Sequence, residues 1–364
     1  MTTSQLPDTL PDFEIAAAAA LDQGAFDYIR GGATDEWTLA ANVAGWRSLA
    51  IVPRVLRGTG RVDSSVTVVG QCMQHPVIAA PMAYQRIATP EGEIAMARAA
   101  AATSTTMCLS TLSTVSATDV AGAVPGASRW FQAYVFRDRG VTRTLIDAAV
   151  ASGYSALVVT VDFPVSGLRE RDIRSRFAVG HAVPAVAAAG TATPFEPHHT
   201  QTLVDPRLSW ADIADLAARY PVPLLVKGIL SADDAVLALE HGAAGVVVSN
   251  HGGRQLDGTV ASAAVLANIV DAVDGRGDVV VDGGIRRGTD VLRALALGAK
   301  AVLVGRPLLW GLAAGGASGA QRVIELFIEE FVNALTLSGA NDARAISRDL
   351  LACGLGERRA TTAS

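Results

Sequence analysis

The chain has 364 residues, 50% hydrophobic and 18% charged, with 35 glycines and a formal net charge of −5. That length suits two average domains or one α/β barrel, and it can bury a large core without a disulfide or metal staple. The acidic balance speaks against a nucleic-acid binder, which carries a basic face. Three scattered cysteines, Cys72, Cys108 and Cys353, make neither a disulfide framework nor a C-x-x-C zinc site, and no metal centre is expected.

No run of about twenty apolar residues offers a membrane span. The opening MTTSQLPDTLPDFE lacks a basic stretch followed by an apolar core, so no secretory signal is expected and a cytoplasmic location is. Residues 1–76 read as an N-terminal extension of helices plus a small strand pair, with SVTVVG carrying the strand signal. A barrel core is expected over 77–310, closing helices over 311–350 and a disordered tail over 351–364, all in a single domain.

Within the core, short apolar runs end in a polar residue or glycine, and a helix-like stretch follows each. They are VIAAP (77–81), TTMCLS (105–110), WFQAY (130–134), ALVVTVD (156–162), PLLVKG (223–228), AGVVVSN (244–250), DVVVDGG (278–284) and AVLVGR (301–306). Near-continuous apolar runs suit parallel strands buried on both faces. The intervening GVTRTLIDAAVASG and SADDAVLALEHG are amphipathic, and each ends in a glycine suited to a helix C-cap. Eight such units point to the α/β class and a (β/α)8 barrel. An open doubly wound sheet is the alternative, because periodicity does not reveal closure. The stretch 180–205 after the fourth strand is rich in Ala, Pro and Thr without periodicity, as in a lid or a disordered loop.

Barrel enzymes keep their chemistry at the carboxyl ends of the strands. There the sequence places SNHGGRQLDG (249–258), in which paired glycines turn His251 and Arg254 toward the mouth. A histidine can take a proton near neutral pH, and an arginine can grip a carboxylate in two parallel hydrogen bonds. Alone, the pair reads as easily as a loop histidine and a solvated arginine. Arg169 lies just after strand four and would complete a two-pronged clamp. Asp162 would hold His251 in one tautomer or serve as a structural ion pair. DGGIRRG (282–288) and GRP (305–307) follow strands seven and eight, where barrels commonly hold a phosphate, with Arg286 and Arg306 supplying charge. Lys227, at the end of strand five, suits a Schiff base or an anionic cofactor, and the phosphate site favours the second. No P-loop or Rossmann fingerprint occurs.

Together these residues resemble the FMN-dependent 2-hydroxy-acid oxidases and dehydrogenases, over roughly residues 10 to 350. The marks are FDYIRGGATDEWTLAAN, PMAYQ with PEGE, FQAYVFRD, TVDFP, LVKG, SNHGGRQLD, DGGIRRGTD and VGRP. The resemblance implies FMN, a small 2-hydroxy acid as substrate, dioxygen as acceptor with release of H2O2, and a homotetramer or octamer. It makes His251 the base supported by Asp162, Arg169 and Arg254 the carboxylate ligands, and Tyr28 and Tyr134 catalytic residues that also place the substrate. It puts the flavin on Ala83, Ser110, Gln132, Thr160, Lys227 and Ser249, and its phosphate on Asp282, Gly284, Arg286, Gly305 and Arg306.

The chain departs from the glycolate-oxidase pattern at Leu112, where that branch has tryptophan, and at Ser166, where it has leucine. Leu168 replaces the first arginine of the usual G-R-R. Tyr84 gives PMAYQR the look of the hydroxymandelate-oxidase branch. Lost bulk at 112 and 166 leads to the expectation of an aryl, mandelate-like substrate, unless the 180–205 loop refills the space. The alternatives are a dehydrogenase that passes electrons to a quinone or carrier, an oxidase of lactate or glycolate, and an FMN-dependent isopentenyl-diphosphate isomerase. The last would not need His251, Arg254 and Arg169 together.

Overall fold

The computed structural model describes residues 6–352. Eight parallel strands close into a barrel: β3 (Val77–Ala79), β4 (Thr106–Ser110), β5 (Arg129–Ala133), β6 (Leu157–Thr160), β7 (Leu224–Ile229), β8 (Gly245–Val248), β9 (Asp278–Val281) and β10 (Ala301–Val304). Closure comes from β10 pairing with β3, in the register Val302 to Val77. Each of the eight apolar runs supplies one strand. They lack alternation because the helical ring covers their outer face while side chains fill the inner one. Closure removes both sheet edges, which excludes the open sheet.

The ring consists of α4 (Glu93–Ala102), α5 (Ala117–Ala123), α6 (Arg139–Ala151), α9 (Trp210–Arg219), α10 (Ala232–Glu240), α11 (Ser262–Val273), α12 (Gly288–Ala296) and α13 (Arg306–Ser338). Position 310/311, the expected border between core and closing helices, lies inside α13, which bends instead at Gly315–Gly316.

The extension serves both ends of the barrel. An antiparallel pair, β1 (Val66–Val68) and β2 (Gln71–Met73), covers the base. There the Val69 N–H donates to Asp278 at the start of β9, and Trp130 at the start of β5 donates to Gln71. Helix α1 (Leu10–Ala20) packs on α13. Helices α2 (Gln23–Arg30) and α3 (Trp37–Arg47) lie over the mouth. Helix α3 has no capping side chain of its own, since Glu36 at its N-cap turns left-handed. Asp257, from the loop after β8, takes that role and accepts from the Trp37 and Thr38 N–H groups at 3.2 and 2.8 Å. Trp46 of α3 donates to the Gly283 carbonyl after β9 at 2.7 Å.

The stretch after β6 is a folded strap. It contains α7 (Glu170–Ser175), α8 (Pro184–Ala188) and a 3-10 turn, Pro197–Thr202. Bridges from Val179 to Phe195 and from Phe136 to Val204 stitch it down, and Phe195 is buried. Periodicity missed it because its elements are too short for a repeat and rest on tertiary contacts. The tail beyond Ala352, including Cys353, lies outside the described residues.

Candidate active site

A cavity open to solvent, about 1040 Å³ with the open space at its mouth included, sits at the carboxyl ends of the strands. Tyr28, Ala83, Ser110, Tyr134, Arg169, Lys227, His251, Arg254, Asp282, Gly284, Arg286, Gly305 and Arg306 line it. Asp162, Gln132 and Ser249 stand directly behind that wall. Thr160 borders a second cavity between β6, the 204–209 stretch and α9.

His251, Gly252 and Gly253 all take positive φ, at 58°, 63° and 75°, a left-handed turn that swings His251 into the mouth. Its Nδ1 meets Asp162 Oδ1 at 2.8 Å, which puts the ring proton on Nδ1 and leaves Nε2 as the acceptor. Nε2 is 3.5 Å from the Tyr134 hydroxyl. Asp162 can come this close because residue 228 is glycine with φ 111°. A Cβ there would stand 2.6 Å from the Asp162 Cβ. Burial, reinforced by Lys227 and Arg169, holds His251 below its ordinary value against the opposing pull of Asp162. Burial pushes Asp162 up, but His251 and Lys227 outweigh it and keep the carboxyl ionised. The result is a neutral imidazole beside a fixed anion, ready to take a proton.

Arg169 is buried and lies against the Arg254 carbonyl at 3.4 Å. Burial and the Arg254 charge lower its pKa. Arg254 donates to the Tyr28 and Gly31 carbonyls at 2.7 and 3.1 Å, and its guanidinium lies 4.8 Å from the Tyr28 ring centre. Two like charges facing one cavity are relieved by a carboxylate between them.

Lys227 Nζ donates to Ser249 Oγ at 2.9 Å and pairs with Asp282 at 3.4 Å. Burial lowers the lysine, but Asp282 and Asp162 outweigh it, so the ammonium stays charged. Asp282, expected on the phosphate, lines the same cavity as Gly284 and Arg286 and pairs with Lys227 through Oδ2. Arg286 lies over Trp310, and burial brings it down to about 10. Arg306 donates to the carbonyls of Ile29, Gly31 and Gly252 at 3.1, 2.8 and 3.0 Å, and burial lowers it strongly. Among the described residues neither arginine has a carboxylate within ion-pair distance, so the pair is suited to an anion. Gln132 Nε2 and Asp282 Oδ1 are buried without partners. Unsatisfied polar groups behind an anion-seeking rim fit a polar ring system that carries a phosphate.

Sequence reasoning missed most of the apolar wall. Met82, Phe163, Pro197, Thr200, Ile285 and Leu309 also line the cavity. Phe163 was within reach, because it sits between two chemistry-bearing segments in TVDFP. Pro197 and Thr200 arrive from the strap, and local pattern gives no sign of them. Ser166 is not in this wall. It borders a third cavity, and its N–H donates to Gln201 at 3.1 Å.

The mouth of this closed parallel barrel thus brings together a histidine backed by a carboxylate, two arginines facing one cavity and a second pair of arginines after β9 and β10, an arrangement suited to a phosphate-bearing cofactor and an anionic substrate. Residues 17–353 match the FMN-dependent dehydrogenases, and the chain belongs to that family, with FMN as its cofactor. It is similar to the L-lactate oxidase of Nostoc sp., with 45% identity over 96% of this chain and 100% of the relative. It is also similar to 2-hydroxyacid oxidase 1 of Homo sapiens, with 43% identity over 93% of this chain and 95% of the relative. Among solved structures, a mandelate oxidase with (S)-4-hydroxymandelic acid superposes at a TM-score of 0.87. It is 41% identical, over 92% of this chain and 97% of that one.

Proposed function

We propose that this chain, an FMN-dependent 2-hydroxy-acid oxidase, converts an aromatic (S)-2-hydroxy acid of the mandelate type to the 2-oxo acid, with dioxygen reduced to H2O2. The observation that carries this reading is the convergence of His251 Nε2, Arg169 and Arg254 on one cavity. Arg254 and Arg169 grip the carboxylate, and Tyr28 and Tyr134 fix the α-carbon side of the substrate. His251 Nε2 takes the proton released on oxidation, and Asp162 stabilises the imidazolium that results. FMN, when bound, supplies the two-electron acceptor. Arg286, Arg306, Gly284 and Gly305 would hold its phosphate, while Lys227, Gln132, Ser110 and the Ala83 backbone would hold its ring.

Aromatic preference rests on an uncharged side-chain end walled by Tyr84, Leu112, Phe163 and Pro197. A small aliphatic acid such as L-lactate is the second reading. It is favoured by the strap, whose Phe195 packs edge-on against Tyr84 at 5.8 Å while Pro197 and Thr200 enter the cavity. Flavin bleaching under nitrogen with a substrate panel decides between them. The aromatic reading expects (S)-mandelate to give a higher kcat/KM than L-lactate or glycolate, and the reverse order overturns it. Burying about 100 Å² of ring contributes ~2.5 kcal/mol, nearly a hundredfold if fully expressed in the transition state.

A further inference from the structure

On the outer face of the strap, Glu196, His198 and His199 form a cluster that the oxidation chemistry does not use. We propose that these three side chains bind a divalent transition-metal ion of the Zn²⁺ or Ni²⁺ type, and that the bound ion holds the strap in place over the active-site mouth. One donor atom from each residue lies within 4.8 Å of the other two. His198 Nδ1 and Glu196 Oε2 are already 3.2 Å apart, close to the roughly 3.4 Å between two ligand atoms on a tetrahedral zinc. The His199 ring stands edge-on to that of His198, with centres 4.3 Å apart, so side-chain rotation brings in the third donor.

Two imidazoles and one carboxylate favour zinc, nickel or copper over magnesium and calcium, which take oxygen ligands. Three protein ligands leave coordination positions for water, so binding is reversible. The backbone that carries the donors is already folded. The His199 N–H donates to the Glu196 carbonyl at 2.9 Å, and the Thr202 hydroxyl donates to the His199 carbonyl at 2.7 Å. Among the described residues Glu196 has no lysine or arginine partner competing for its carboxylate.

The link to the active site is the turn itself. His198 and His199 lie between the two strap residues that line the catalytic cavity, Pro197 and Thr200. A metal clamped outside therefore restrains the wall inside. The turn also adjoins both openings, since Arg169 and Pro197 border the catalytic cavity and the third cavity alike.

The test uses untagged, FMN-loaded enzyme titrated with ZnCl2 by calorimetry, with kcat/KM measured at saturating zinc. The expected result is one Zn²⁺ per chain, bound at least tenfold more weakly by the His198→Ala/His199→Ala variant and by Glu196→Gln. Zinc should lower kcat/KM severalfold in the wild type and leave the double variant unchanged, with EDTA restoring the wild type. Without zinc, the double variant should match the wild type. Absence of stoichiometric binding below millimolar zinc, or equal binding by the variants, overturns the site. Stoichiometric binding with unchanged kcat/KM overturns the restraint on the strap.

Discussion

At the scale of single residues, the proposed roles separate groups that act on substrate from groups that hold the cofactor. His251→Ala should retain FMN and lose about 10²–10⁴-fold in flavin-reduction rate, the usual share of a general base. Stopped-flow reduction reads it directly, and near-normal reduction removes His251 from the proposal. The same imidazole sets the acid limb of the pH profile. It must be neutral to act and its folded pKa is lowered, so kcat/KM should fall only below the ordinary histidine value of about 6.5. The arginines should divide. Arg254→Lys keeps the charge but loses the planar fork, so substrate binding and reduction should weaken together while FMN stays. Arg306→Ala should release FMN. It should also lower the Tm, because the Ile29 and Gly252 carbonyls lose their donor while Gly31 keeps Arg254, at about 1 kcal/mol or more for each one left buried and unpaired. Flavin loss in the first variant with retention in the second would invert the assignment.

At the scale of elements, a buried carboxylate ties the first two barrel loops together. Glu93, at the start of α4, accepts from the Gln85 N–H at 3.0 Å, the Thr114 N–H at 2.9 Å and the Thr114 hydroxyl at 2.6 Å. These loops carry Tyr84 and Leu112 into the cavity. Glu93→Ala should cost about 2–4 kcal/mol of stability, since it leaves buried donors unpaired, and should raise KM for substrate more than it lowers kcat. Thermal unfolding and steady-state kinetics check it, and an unchanged Tm would show that the clamp carries no load.

The eight strands were legible because parallel strands buried on both faces must be continuous apolar runs. His251, Arg254, Arg286 and Arg306 were legible because the glycines beside them mark turns at strand ends. The Glu93 clamp was not, because its partners lie on two other loops. The position of Ser166 was misread for a related reason: the path of the strap, not residue order, decides which cavity its neighbours wall. The small residue at 166 therefore adds no room to the main cavity, and the case for an aromatic substrate leans on Leu112, Tyr84 and Phe163.

At the scale of the whole molecule, the mouth concentrates Arg254, Arg286 and Arg306, none with a carboxylate in ion-pair reach among the described residues. In the proposed assignment, FMN phosphate and the substrate carboxylate complete that charge arrangement, so cofactor binding should stabilise the fold. With FMN at a hundred times its Kd, linkage contributes about 2.7 kcal/mol. Stripped enzyme should therefore melt several degrees lower and regain its Tm on adding FMN. A Tm indifferent to FMN would mean that the cationic rim is stable without it.

The last part of the N-terminal extension also meets the end of α13 and the C-terminal segment after it. The Val52 N–H donates to Leu350, Arg54 to Ser338 and Asp63 to Asn341. The carbonyls at the end of α2 and just beyond it, Ile29 and Gly31, are made 277 and 275 residues before the Arg306 that binds them. At ribosomal speeds of about 5–20 residues per second, that interval is roughly 14–55 s. Throughout it, the apolar face of α1, with Phe13 and Ala17, has no α13 to lie on. Any C-terminal truncation before residue 306 should therefore leave α1 and α2 without the partners that seat them.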